Sequence, residues 1–193
     1  TNPAYLAGRK NELDMAETTF QALRLQIPVQ SIIYTGLRGV GKTVLLNQME
    51  ELAKKESIEC RHIEVENRND FISQIITCCQ VFLRNISTGE RMKQTISKAV
   101  DALKSLAVSF SPESSTFSLS MQEQELYKTT NLTQSLTDVF ISVGEAARDA
   151  NKPICFFIDE MQYMKGNELS SLIAALHRAN QLNLPIMIVG AGL

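Results

Sequence analysis

The sequence predicts an α/β fold, a three-layer sandwich in which a mainly parallel sheet is covered by helices on both faces. Apolar runs of strand length stand at 31–35, 154–158 and 186–189, and a strand that is apolar on both sides needs cover on both sides, the condition of a parallel sheet. Stretches with apolar residues at helical spacing alternate with these runs. No repeat or long linker interrupts the pattern. A chain of 193 residues, 44% of them hydrophobic, can bury one good core, so one domain over 1–193 is expected.

The elements follow in order. Ser31 to Thr35 is a short apolar run closed by Gly36, which suits a buried strand. Beyond the next glycines, Leu45, Met49 and Leu52 recur at helical spacing, and Lys54 and Lys55 close the last turn where positive charge favours the helix dipole. Ile58 to Glu66 alternates at Ile63 and Val65, as in a strand with one wet face, and His62 belongs to that alternation. From Asp70, Ile72, Ile75, Ile76, Cys79, Leu83 and Ile86 form one helical stripe; Met92, Ile96, Ala99, Val100 and Leu103 form a second, with a break near Gly89. These helices make an insertion between the second and third strands.

A small hairpin is expected next, with short alternating runs at Val108 to Phe110 and Thr116 to Met121 about a turn at Pro112. Leu132, Leu136, Val139, Phe140, Val143 and Ala147 then give a helix that Asn131 or Thr130 can cap. Ile154 to Ile158 is a strand ending in Asp159 and Glu160. Asn167 can cap a helix carrying Leu169, Leu172, Ile173 and Leu176, and Pro185 opens the last apolar run.

Charge and cysteine usage exclude several classes. Nineteen Lys and Arg against 21 Asp and Glu give a net charge of −2, so nothing global points to a nucleic-acid or anionic-membrane surface. No apolar run approaches the roughly 18 residues of a membrane span, and no signal peptide is visible. Cys60, Cys78, Cys79 and Cys155 contain no C-x-x-C pair and form no ligand cluster with His62 and His177. They read as reduced structural thiols in a cytoplasmic protein.

The chemistry is concentrated in Gly36-Leu37-Arg38-Gly39-Val40-Gly41-Lys42-Thr43, which fits G-x-x-x-x-G-K-[ST] between a strand and a helix. Glycines let the backbone curl so that successive N–H groups face phosphate oxygens, and the helix N-terminus adds partial positive charge. Lys42 reaches the β- and γ-phosphates, Thr43 offers its hydroxyl to Mg²⁺, and Val44 continues the binding segment. The second half of such a site is a carboxylate at the end of another buried strand. Asp159 stands there to hold Mg²⁺, and Glu160 to activate the water that attacks the γ-phosphorus. The expected fold is therefore that of a P-loop NTPase. A guanine-reading N-K-x-D is not found, since Asn151-Lys152-Pro153-Ile154 lacks the aspartate, and the adjacent acids favour hydrolysis over small-molecule phosphorylation.

Tyr5 to Leu13 (YLAGRKNEL) resembles the box that opens AAA-type ATPase domains of the origin-recognition and STAND-like kind, and the run from Phe156 to Leu193 resembles bacterial ATP-binding proteins of that group. The resemblance implies that ATP and Mg²⁺ are bound, that Leu6 to Arg9 line an adenine pocket, and that Glu160 is the hydrolytic base. It also implies a fifth strand, an arginine finger and a helical lid, none of which is found before Leu193. The expectation is a domain truncated before those parts, with weak turnover. Such domains place a polar sensor at the end of the strand after the acid pair, whereas Val189 to Gly192 offers only backbone.

Three readings are open at this stage: an ATPase that drives an attached domain, a nucleotide-gated interaction module with little hydrolysis, and a DNA-handling ATPase. A homo-oligomer or a C-terminal effector domain is the corresponding partner. Local support for nucleic acid is confined to the basic excess of Arg84, Arg91, Lys93, Lys98 and Lys104, a pattern common on solvated helix faces.

Overall fold

In the computed structural model, residues 9–37, 39–66, 71–86, 90–111 and 131–193 are described. Helix α1 (Lys10–Arg24) precedes β1 (Ile32–Thr35), α2 (Lys42–Lys55) and β2 (Glu59–Glu64). Helices α3 (Phe71–Asn85), α4 (Glu90–Phe110) and α5 (Leu132–Asp149) lie between β2 and β3 (Ile154–Asp159), and α6 (Gly166–Gln181) leads to β4 (Ile186–Gly192). The four strands form one sheet in the order β1-β4-β3-β2, and every pairing is parallel. The α/β class and the helical insertion between the second and third strands are as the sequence predicts.

The strand pattern explains the layers. All six residues of β3 are buried, because alternate side chains feed two cores. Cys155 and Phe157 point with Met187 and Val189 into a cluster with Phe20, Leu45, Leu46 and Met49 of α1 and α2. Ile154, Phe156 and Ile158 enter the other cluster, with residues of α3, α5 and α6. The rings of Phe20 and Phe157 lie 6.2 Å apart, and those of Phe140 and Phe156 5.8 Å apart, one contact on each face. Helix α4 packs on α3 and α5, away from the sheet. As expected of structural thiols, Cys79 and Cys155 are buried, and desolvation raises both thiols.

Several expectations change. β1 is an edge strand, with alternating half-buried and exposed residues, and Ile33 is 46% exposed; a four-residue run is too short to show whether both faces are covered. Val108 to Phe110 is not a hairpin strand but the last turn of α4, because Leu103, Leu106 and Ala107 are buried and continue one helical stripe. Thr116 to Met121, the turn at Pro112 and the break near Gly89 lie outside the described residues. Asn131, not Thr130, caps α5, its side chain accepting from the Gln134 N–H at 3.1 Å. Asn167 does not cap α6: the helix begins at Gly166, and the Glu168 carboxylate accepts from the Lys165 N–H at 3.0 Å.

Candidate functional site

β1 ends at Thr35 and the chain turns through Gly39 and Gly41, whose φ angles are 82° and 78°. In that left-handed region a side chain is strained, and glycine is not. A Cβ at Gly39 would meet nothing within 4 Å, so glycine there answers to backbone conformation and not to space. Gly41 is the N-cap of α2, where no side chain caps the helix and the first turn holds no acidic residue. The first-turn amides, which a helix cannot satisfy internally, are thus available to an anion. Lys42 folds back over the loop, its Nζ donating to Gly36 O at 2.7 Å and Leu37 O at 2.9 Å.

The opposite wall comes from β3, one strand removed from β1 in the sheet because β4 lies between them. Asp159, 4% exposed, accepts from Thr43 Oγ1 on Oδ2 at 2.6 Å and from the Glu160 N–H on Oδ1 at 2.8 Å. Glu160 follows with φ 57° and ψ 37°, left-handed values that turn the chain sharply out of the strand. The short 3-10 turn Met161–Tyr163 then carries Gln162, whose Nε2 donates to Glu160 Oε2.

A cavity of about 240 Å³ separates the walls. Gly39, Gly41 and Lys42 to Val44 line one side, and Asp159, Glu160, Gln162, Tyr163 and Leu193 the other. One wall thus offers N–H donors and an ammonium, the other two carboxylates. A polyanion can lie between them only if a cation shields it from the acids. The Thr43 hydroxyl and the Asp159 carboxylate supply the hard oxygen ligands that suit Mg²⁺.

The structure therefore brings together Gly39, Gly41, Lys42, Thr43, Val44, Asp159 and Glu160 among the residues singled out in the sequence. Gly36 and Leu37 turn their carbonyls to Lys42, while the Leu37 and Val40 side chains are exposed at 80% and 43%. Arg9 stands outside the loop, pairing with Glu12 at 2.9 Å and reaching Val40 O at 3.5 Å. The Arg9 guanidinium hydrogen bond holds the Glu12 carboxyl below its usual range. Leu6 and Arg38 lie outside the described residues. Gln162, Tyr163 and Leu193 are lining residues that no motif announces.

Among the described residues no helix is long and apolar enough to cross a membrane. Comparison with curated proteins finds no match to the chain. The sequence model of the AAA ATPase domain matches residues 5–189, from the start of the YLAGRKNEL box into β4. The chain belongs to the AAA ATPase domain family, a family of ATPase-type nucleotide-binding domains.

Proposed function

We propose that this domain binds MgATP in the cavity and hydrolyses it to ADP and phosphate, driving or gating a conformational change. The observation that carries the proposal is the 2.6 Å bond between Thr43 and Asp159, residues 116 positions apart. It joins the glycine loop to the end of a buried strand, beside an uncapped helix N-terminus. Main-chain N–H groups and the Lys42 ammonium on one wall face two strand-end carboxylates, Asp159 held by Thr43 and Glu160 held by Gln162, the kinds of group that phosphoryl transfer uses.

In this mechanism the first-turn amides of α2 take phosphate oxygens, and Lys42 leaves the Gly36 and Leu37 carbonyls to meet the terminal phosphate. Thr43 and Asp159 would hold Mg²⁺, which when bound neutralises charge on the phosphate oxygens. Glu160 orients a water molecule and takes its proton as the water oxygen bonds to the γ-phosphorus and the bond to the ADP oxygen breaks. The β3 strand keeps Asp159 and Glu160 adjacent, so one serves the cation while the next serves the water.

Isothermal titration with MgATP and MgGTP, beside Lys42→Ala, tests this reading. ATP binding that is lost in the variant, with GTP much weaker, supports it. Binding unchanged by Lys42→Ala contradicts it. Turnover by 1–193 is expected to be slow, because the described site holds no arginine on its β3 side; a rate of about 1 s⁻¹ or faster, the range of ordinary enzymes, would contradict that expectation.

A further inference from the structure

Gln162 uses both ends of its amide. Its Oε1 accepts from the Leu193 main-chain N–H at 3.1 Å, and its Nε2 donates to Glu160 Oε2. Only one amide orientation serves both partners: a main-chain N–H can only donate, so the oxygen faces Leu193 and the NH₂ group faces the carboxylate. The side chain is therefore a strut from the acid after β3 to the end of β4.

β4 is shaped to receive it. A Cβ on Gly190 would fall 2.2 Å from Met161 Sδ, and one on Gly192 would fall 3.4 Å from both Gln162 Oε1 and Met161 Cβ. Glycine at 190 lets the turn lie directly on the strand, and at 192 a Cβ would make only ordinary contact with it. Glu160 itself is left-handed without being glycine, a conformation that persists where surrounding contacts over-determine it. Gln162 is such a contact, and it lines the same cavity as Lys42 and Thr43.

We propose that Gln162 is a positioning residue for hydrolysis. It holds Glu160 by one carboxylate oxygen, leaves the other for the attacking water, and references that orientation to the end of β4. The inference rests on the hydrolytic reading above. Gln162 thereby supplies, from the β3 side, the polar group that β4 itself does not present at its end. A displacement of the β4 end is transmitted to the base through a single amide.

The test compares the wild-type chain with Gln162→Ala and Gln162→Glu, by titration with MgADP alone and MgADP plus aluminium fluoride, and by single-turnover hydrolysis of MgATP. The fluoride complex mimics the transition state and needs the water-orienting group in place. Gln162→Glu keeps length and the acceptor for Leu193, but loses the donor and opposes Glu160 with a second carboxylate.

MgADP affinity is expected to stay within about twofold in both variants. The gain from aluminium fluoride and the hydrolysis rate are expected to fall about tenfold or more, as for loss of a charge-assisted hydrogen bond. KM for MgATP should not change. Variants that keep both the fluoride gain and the rate overturn this inference alone. Variants that lose MgADP binding in parallel overturn it too, since Gln162 would then be merely structural. A wild-type chain that binds MgADP but gains nothing from aluminium fluoride overturns the hydrolytic reading, and this inference with it.

Discussion

Replacing Thr43 with valine removes one hydroxyl and conserves shape, so it isolates the bond that joins the two halves of the site. Asp159 is 4% exposed and has two hydrogen bonds, from Thr43 Oγ1 and from the Glu160 N–H. A hydrogen bond to a charged group contributes about 1.5–3 kcal/mol. Two features favour the lower end: Asp159 borders the cavity, where water can replace the lost donor, and Thr43 is itself exposed. The expected destabilisation without nucleotide is therefore about 1.5 kcal/mol, a drop in melting temperature of about 3–6 °C for a domain of this size. Circular dichroism melts without nucleotide read this directly.

A second arm adds MgATP at about 100 times its Kd, where binding to the native state adds about 2.7 kcal/mol. The wild-type gain should shrink when EDTA removes the metal, whereas the Thr43→Val gain should be smaller and insensitive to EDTA. A variant that melts with the wild type in the absence of nucleotide, and keeps the full Mg²⁺-dependent gain, would refute the assignment of Thr43 and Asp159 as one metal-binding pair.

Gly41→Ala places a Cβ at φ 78°, which costs about 1–2 kcal/mol; urea unfolding should show that loss, and titration should show nucleotide binding abolished or severely weakened as the loop relaxes. Phe157→Ala empties a fully buried position between α1, α2 and the sheet, with an expected loss of about 3–5 kcal/mol by urea denaturation. The Glu50 carboxyl is pushed up by burial, but hydrogen bonds from Lys54 and His62 outweigh that and leave it lowered from 4.5. Its stabilising contribution is thus present above 4.5 and lost as pH falls through the lowered folded value. The stability gap between wild type and Glu50→Gln should be open at neutral pH and close in acid.

Much of this site was legible because phosphate chemistry constrains sequence locally. A backbone that must curl needs glycine at Gly39 and Gly41, and a wholly buried β3 that ends in Asp159 and Glu160 advertises a functional terminus. The sheet order was not legible, because pairing partners leave no mark in a four-residue run such as β1. The end of α4 was misread for a similar reason: over Val108 to Phe110 a period of two and one of 3.6 cannot be told apart, and the buried Leu106 and Ala107 settle it only in three dimensions. Helix α1 is not among the elements expected from the sequence, although Leu13, Ala16, Phe20 and Leu23 are spaced to share one helix face, of which the last three are buried. Gln162 was not readable, since a glutamine has no required spacing and its partner Leu193 is distant in the chain.

If Lys42 meets phosphate as proposed, its bonds to the Gly36 and Leu37 carbonyls make ligand capture a substitution reaction. Those carbonyls already occupy the ammonium, so the incoming phosphate displaces an internal competitor and does not fill an idle socket. The ammonium's share of the heat released on binding is then the difference between bonds made and bonds surrendered. A nucleotide too short to reach the ammonium leaves the internal competitor seated. On the proposed mechanism, the length of the phosphate chain would thereby be sensed by a single side chain changing partners.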